Sequence, residues 1–188
     1  TDKSAPVSMI AWNKERFTLL GTTEFSYNEI SLSSRGKEIT NSLLNHTPSA
    51  IILLQDKQTG AKISVASASV KAFSFSELEK KPEYARTGDL QIECDMELIG
   101  AQNPDISIYA GNLGTTRNQY ATRLNVLEEK GYTTDTADQT PTTRHHGINN
   151  EQGEPFATVK LDYVYAAKGT AIPNLEITSV QNTQAVSM

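Results

Sequence analysis

Ala50-Ile51-Ile52-Leu53-Leu54-Gln55-Asp56-Lys57-Gln58-Thr59-Gly60-Ala61-Lys62-Ile63-Ser64-Val65-Ala66-Ser67 is the stretch that decides the fold. Residues 50–54 are apolar, rich in β-branched side chains and of strand length, so they read as a buried strand. Lys57-Gln58-Thr59-Gly60 supplies a polar turn closed by glycine, and residues 61–67 alternate apolar with polar as the returning partner. The stretch is a β-hairpin, and the flanking sequence has to supply its neighbours.

Upstream, residues 7–12 alternate as a strand, Asn13-Lys14-Glu15-Arg16 reads as a turn, and residues 17–20 read as the returning strand of a first hairpin. Residues 35–44 place Ile39, Leu43 and Leu44 at helical spacing, and an irregular connection fits them equally well. Downstream, residues 85–99 put Leu90, Cys94, Leu98 and Ile99 on one helical face, closed by Gly100, which predicts a helix covering the sheet. A short strand follows at 105–110, then helical spacing through Tyr120, Leu124 and Leu127 over 116–130, stopped by Gly131. Residues 133–155, rich in Thr, Asn, Asp and Gly and without periodicity, read as a long surface loop. Strands are expected at 159–166 and 175–180, and Ala185-Val186 begins another. Hairpins first and then strands alternating with helices predict a mixed-sheet α/β layered fold rather than an all-β sandwich.

With 188 residues and 37% hydrophobic content, the chain is long enough for one sizeable core and too short for two, so residues 1–188 are expected to form a single domain. No apolar run approaches the roughly 18–20 residues of a membrane helix, and no signal-peptide region precedes residue 7. A formal net charge of -5 disfavours strong sequence-independent nucleic-acid binding, which needs clustered Lys and Arg. The one cysteine, Cys94, excludes an intrachain disulfide and a cysteine-based zinc cluster, and reads as a small apolar helix residue rather than a reactive thiol. Asn45-His46-Thr47 matches a glycosylation sequon, a triplet common enough by chance to carry no weight alone.

Four segments, taken in order, resemble the endonuclease/exonuclease/phosphatase superfamily of DNase I-like proteins. Ile63-Ser64-Val65-Ala66-Ser67-Ala68-Ser69-Val70 occupies the place of the family strand that ends Asn-Thr-His-Leu. Tyr109-Ala110-Gly111-Asn112-Leu113-Gly114 is similar to its Gly-Asp-Phe-Asn strand end, and Lys160-Leu161-Asp162-Tyr163-Val164-Tyr165 to its Leu-Asp-Tyr strand. Gln181-Asn182-Thr183-Gln184-Ala185-Val186 falls where Ser-Asp-His precedes the last strand. The resemblance implies two mixed β-sheets packed face to face and flanked by helices, a four-layer α-β-β-α sandwich. The early part of the family domain, with its metal-binding Glu, has no counterpart in these residues, so the domain is expected to be partial.

The resemblance also implies where chemistry would sit. The family uses carboxylates to hold a hard divalent cation and a His paired with an Asp to handle the proton of the attacking water. Here Ser69 stands for His, Asn112 for Asp, Gly114 for Asn, Asn182 for Asp and Thr183 for His, while Asp162 is retained. Losing several such groups together implies a noncatalytic pseudoenzyme without a cofactor that acts as a protein-binding or scaffold module. The competing expectation is a phosphodiesterase or nuclease that holds magnesium or manganese on non-standard ligands such as Asp162, His145 and His146. A third is an unrelated α/β domain. Each residue also has a structural reading: Asp162 orienting polar neighbours, His145-His146 in a solvated loop, Arg117 and Arg123 on a solvated helix face, and Trp12, Tyr109 and Tyr163 as core or sheet-face residues.

Overall fold

A computed structural model describes residues 8–25, 49–70, 83–114, 122–134, 143–144, 158–159 and 162–169. Its centre is a five-stranded mixed sheet in the order β1-β2-β3-β4-β7. The strands are β1 (Phe17–Phe25), β2 (Ser49–Asp56), β3 (Lys62–Ser69), β4 (Ile106–Asn112) and β7 (Asp162–Lys168). Two helices, α1 (Glu83–Ala101) and α2 (Thr122–Glu129), lie between β3 and β7 in the chain, and β5 (Thr143–Arg144) and β6 (Thr158–Val159) form a separate two-stranded ladder. Among the described residues no helix is long and apolar enough to cross a membrane.

The hairpin expected over residues 50–67 is present as β2 and β3, paired antiparallel with Ile52 opposite Val65. Asp56 holds its turn: the carboxylate accepts from the Gln58 N–H at 2.9 Å, and the Gly60 N–H donates to the Asp56 carbonyl at 2.7 Å. Gly60 sits at φ 77, in the left-handed region that glycine enters without penalty. The α1 crossover then lets β4 pair parallel to β3, and β7 returns antiparallel to β4.

The first hairpin is not formed as the alternation of residues 7–12 predicts. Residues 8–12 have no strand, residue 7 lies outside the described residues, and β1 runs on to Phe25 and pairs antiparallel with β2 instead. A buried apolar strand such as β2 needs a neighbour on each edge, and β1 fills the free one. The Arg16 guanidinium fastens this arrangement by donating from Nε and Nη2 to the two Asp56 carboxylate oxygens, each at 2.7 Å. That bond holds the Asp56 carboxyl well below its ordinary range, and the Gln58 N–H acts in the same direction.

Alternation gives the sheet two unlike faces. On one side Ile51, Ala66, Tyr109 and Tyr165 form a row that is wholly buried, packed in one cluster with Ile92, Met96 and Ile99 of α1 and Leu124 and Leu127 of α2. The opposite side carries successive rows that run from large to small along the strands. Leu54-Ile63-Ile106 comes first, Ile52-Val65-Ile108 second and Ala50-Ser67-Ala110-Val164 third. Ile52 and Leu54 are buried, whereas Ile63, Val65, Ile106, Ile108 and Val164 are half-buried.

Helix α1 covers the expected span, and its buried stripe is partly the expected one. Leu90 and Ile99 are buried as expected, but Cys94 and Leu98 are only half-buried, and Ile92, Asp95 and Met96 complete the inward face. The cause is polar: Asp95, with no exposed surface, accepts from the Tyr109 hydroxyl at 2.7 Å and the Ser49 hydroxyl at 3.1 Å, so the helix is keyed to the sheet by hydrogen bonds. Gly100 lies within the last turn of α1 rather than closing it; Asn103 at φ 46, followed by Pro104, makes the reversal. Helix α2 does end as the sequence predicts. Gly131 at φ 82 lets its own N–H reach the Glu128 carbonyl and the Tyr132 N–H reach that of Leu127.

The remaining expectations divide. The strand at 105–110 appears as β4, and that at 159–166 appears as β6 and β7. The 133–155 loop is not wholly irregular: β5 pairs with β6, and Thr133 forms a bridge with Ala166. That bridge exchanges N–H donors with carbonyls at 2.8 and 2.9 Å and covers part of the outer edge of β7. The helical spacing at 35–44 and the strands at 175–180 and 185–186 lie outside the described residues.

Candidate functional site

The parallel β3–β4 pair and the antiparallel β4–β7 pair have an immediate consequence. Their registers place Ser69 opposite Asn112, and Asn112 opposite Asp162. Three of the residues singled out from sequence therefore form one row across three adjacent strands, the outer two about 10 Å apart. Ala68 and Tyr163, next to them in the chain, enter the buried cluster, so the row belongs to the face away from the helices. All three are half-buried at the rim of that face, next to the Ala50-Ser67-Ala110-Val164 row.

The strand end is shaped by glycine and by a buried arginine. Gly111 has φ 140, and a β-carbon there would press on the Ala68 backbone, whose carbonyl oxygen is the nearest atom. Beyond it, the Asn112 side-chain oxygen accepts from the Gly114 N–H at 2.9 Å, turning the chain away from the sheet. Gly114 at φ 59 is in the region that only Gly and, less readily, Asn or Asp occupy, which gives its glycine a backbone role. Arg123, 2% exposed, donates from Nη1 to the carbonyls of Leu113 at 2.9 Å and Gly114 at 3.0 Å. Its guanidinium lies where a β-carbon on Gly88 of α1 would be, so that glycine is the slot that admits it.

Arg123 thus neither lines a phosphate groove nor sits on a solvated face; it clamps the strand-end loop from within. Sequence offered a weak signal for this, a cation in the first turn of a helix where the macrodipole disfavours it. Tyr109 and Tyr163 are buried in the core cluster, as the sheet-face reading expects. Arg117, His145, His146, Asn182 and Thr183 lie outside the described residues.

Chemically, the row presents a carboxylate, an amide and a hydroxyl. Magnesium favours near-octahedral oxygen coordination, commonly anchored by carboxylates. Asp162 is the single carboxylate of the row, and the Asn112 oxygen is already engaged by Gly114. Among the described residues no three His, Cys, Asp or Glu side chains come together as a metal site. The described residues therefore do not make a fitting divalent-cation site by themselves.

A cleft of about 280 Å³ lies at the far end of the sheet, bordered by Met96, Asn103, Ser107, Lys130, Tyr132 and Gly169. Burial pushes the Tyr132 phenol above its usual 10.0, against the opposing effect of a hydrogen bond to Ser107.

This mixed sheet recurs in known structures. The chain matches an endonuclease/exonuclease/phosphatase from Bacteroides vulgatus with a TM-score of 0.53 and 12% identity, over 83% of this chain and 56% of that one. The fold is that of the endonuclease/exonuclease/phosphatase proteins. The mannosyl-6-phosphatase of Bacteroides thetaiotaomicron matches with a TM-score of 0.54 and 11% identity, over 83% and 55% of the two chains. The human Nocturnin catalytic domain with bound sulfate matches with a TM-score of 0.51 and 12% identity, over 82% and 49%. The chain spans about half the length of these structures, and at such identities the likeness is one of fold. No family model and no curated protein matches the sequence.

Proposed function

We propose that the chain is a noncatalytic module that keeps the endonuclease/exonuclease/phosphatase fold for its surfaces and serves as a protein-binding or scaffold element. The observation that carries this reading is the Ser69–Asn112–Asp162 row. Three strand ends meet in register at the positions where the resemblance implies metal-holding and proton-handling groups, with a single carboxylate among them. Asn182 for Asp, Thr183 for His and Gly114 for Asn extend the same pattern in sequence. General-base catalysis contributes roughly 10²–10⁴-fold and electrostatic stabilisation as much or more, so loss of several such groups leaves little turnover. A net charge of -5 turns the search toward protein rather than nucleic-acid partners. In this reading the sheet is one half of the four-layer sandwich, and its aliphatic rows face a second sheet.

One observation favours a second reading, a metal-dependent phosphodiesterase with non-standard ligands: Asp162 is retained within the row. The test is a calorimetric titration of magnesium and manganese into the protein, with hydrolysis of a generic phosphodiester followed in the same samples. Neither binding nor turnover is expected. Metal-dependent turnover that Asp162→Asn abolishes would replace the first reading with the second.

A further inference from the structure

The helix-side face of the sheet steps down in size along the strands. Next to the buried Ala66-Tyr109-Tyr165 row comes Ser64-Ser107-Ala167, in register across β3, β4 and β7. On the β3 side this small-residue row is bridged to the chain leaving α1, the Ser64 hydroxyl donating to Gln102 Oε1 at 2.8 Å. On the β4 and β7 side it leaves a cleft of about 280 Å³ beside the last turn of α1. We propose that this cleft binds a small carboxylic acid with a compact apolar body, its carboxylate toward Lys130 and Tyr132 and its body against Met96, Ile99 and Ala167. The proposal is independent of the Ser69–Asn112–Asp162 row, which lies at the opposite end of β4.

Gly100 points to an occupant. It lies in the last turn of α1 and lines the cleft one turn after Met96 and three residues before Asn103. Glycine weakens a helix relative to alanine, and no backbone demand offsets that here, because Gly100 has no positive φ and a β-carbon on it would meet nothing within 4 Å. Gly169, which also lines the cleft, differs: a β-carbon there would press on the Pro104 carbonyl oxygen, so its glycine serves packing. What glycine provides at position 100 is open space at the cleft.

The lining selects the class of occupant. Met96, Ile99 and Ala167 are buried and form an apolar floor, which favours a hydrocarbon body over a bare inorganic anion. Tyr132 and Ser107 are hydrogen-bonded to each other. One of their two hydroxyl protons is used within the pair, and the other is left for an oxygen acceptor in the cleft. Lys130 is exposed and, among the described lining residues, alone carries a charge; the carbonyl end of α2 favours a cation there. A cation and a hydroxyl donor beside an apolar floor match a carboxylate on a compact apolar body. About 280 Å³ is the volume of roughly nine waters, which limits that body to about one ring or a short branched chain.

Benzoate is the probe, added to the isotope-labelled chain up to about 20 mM while the backbone amide resonances are followed, with benzyl alcohol and inorganic phosphate as comparisons. Benzoate is expected to shift the Gly100, Asn103 and Gly169 amides saturably and to bind about 3–10-fold more tightly than either comparison. Gly100→Leu fills the open space while suiting the helix, and is expected to abolish binding with an unchanged circular dichroism spectrum. Should that variant fold poorly, Lys130→Gln decides at an exposed position: benzoate is expected to weaken to the level of benzyl alcohol, whose own affinity stays the same. The absence of saturable benzoate shifts at these amides, or saturation that neither Gly100→Leu nor Lys130→Gln alters, overturns the site. Phosphate or benzyl alcohol bound as tightly as benzoate overturns the carboxylic acid.

Discussion

Replacing Gly111 by alanine tests the geometry that places Asn112 in its row. At φ 140 an L residue is strained, and such backbone strain costs roughly 1–3 kcal/mol. The added methyl would also press on the Ala68 carbonyl oxygen, with the Ala68 carbonyl carbon at 2.9 Å, closer than real β-carbons come, and its nitrogen at a tight 3.0 Å. Because these are backbone atoms of the neighbouring strand, relief requires β3 and β4 to separate, which loses about two ladder hydrogen bonds at roughly 0.5–1.5 kcal/mol each. The sum is about 2–6 kcal/mol, a large share of the roughly 5–15 kcal/mol that stabilises a domain. With a urea slope of about 2 kcal/mol per molar, the unfolding midpoint should fall by roughly 1–3 M at unchanged slope. A midpoint within about 0.3 M of the parent would refute the reasoning, since it would mean that the strands do not approach as closely as the geometry requires.

Three further outcomes are expected. Asp95→Leu, which leaves the Tyr109 and Ser49 hydroxyls facing an apolar side chain, should lower stability by about 2–4 kcal/mol in thermal unfolding, and Asp95→Asn, which retains an acceptor, by less. Asp56 has its carboxyl depressed below the ordinary 3.8, so its contribution is present above that value and is lost as pH falls toward the folded value; Asp56→Asn should flatten the acid side of a stability-pH profile below about pH 4, and an unchanged slope would contradict the pairing. Gly88→Ala should displace the Arg123 guanidinium from the Leu113 and Gly114 carbonyls, so in a double-mutant cycle with Arg123→Met the two losses should fall short of additivity by about 1 kcal/mol or more.

How far the sequence could be read depends on the range of the interactions involved. The β2–β3 hairpin was legible because its signal is local, an apolar run, a turn and an alternating partner within 20 residues. The α2 stop was legible at Gly131 for the same reason. Residues 7–12 misled because alternation says that a segment suits a strand, not which strand it would join, and the open edge of β2 took β1 instead. The face of α1 was legible at Leu90 and Ile99 but not at Asp95, because a carboxylate reads as a surface residue until two hydroxyls from other elements are known to meet it. At the candidate site, the resemblance picked out Ser69, Asn112 and Asp162, but only the pairing of three distant strands puts them in one row. Arg123 was singled out but placed on a solvated face, since its partners are backbone carbonyls, which carry no sequence signature.

The position of β4 between a parallel and an antiparallel neighbour has a consequence for biogenesis. During synthesis, β3 and the α1 crossover emerge before β4 and can receive it at once, whereas Asp162, which pairs with Asn112, follows about 50 residues later. At roughly 5–20 residues per second the nascent chain spends several seconds with the Ile106–Asn112 edge open. Ile106, Ile108 and Tyr109 are then the surface that a chaperone or another nascent chain would meet. The synthesis rate through residues 113–161 therefore bears on the yield of folded protein without altering a single contact in the finished fold.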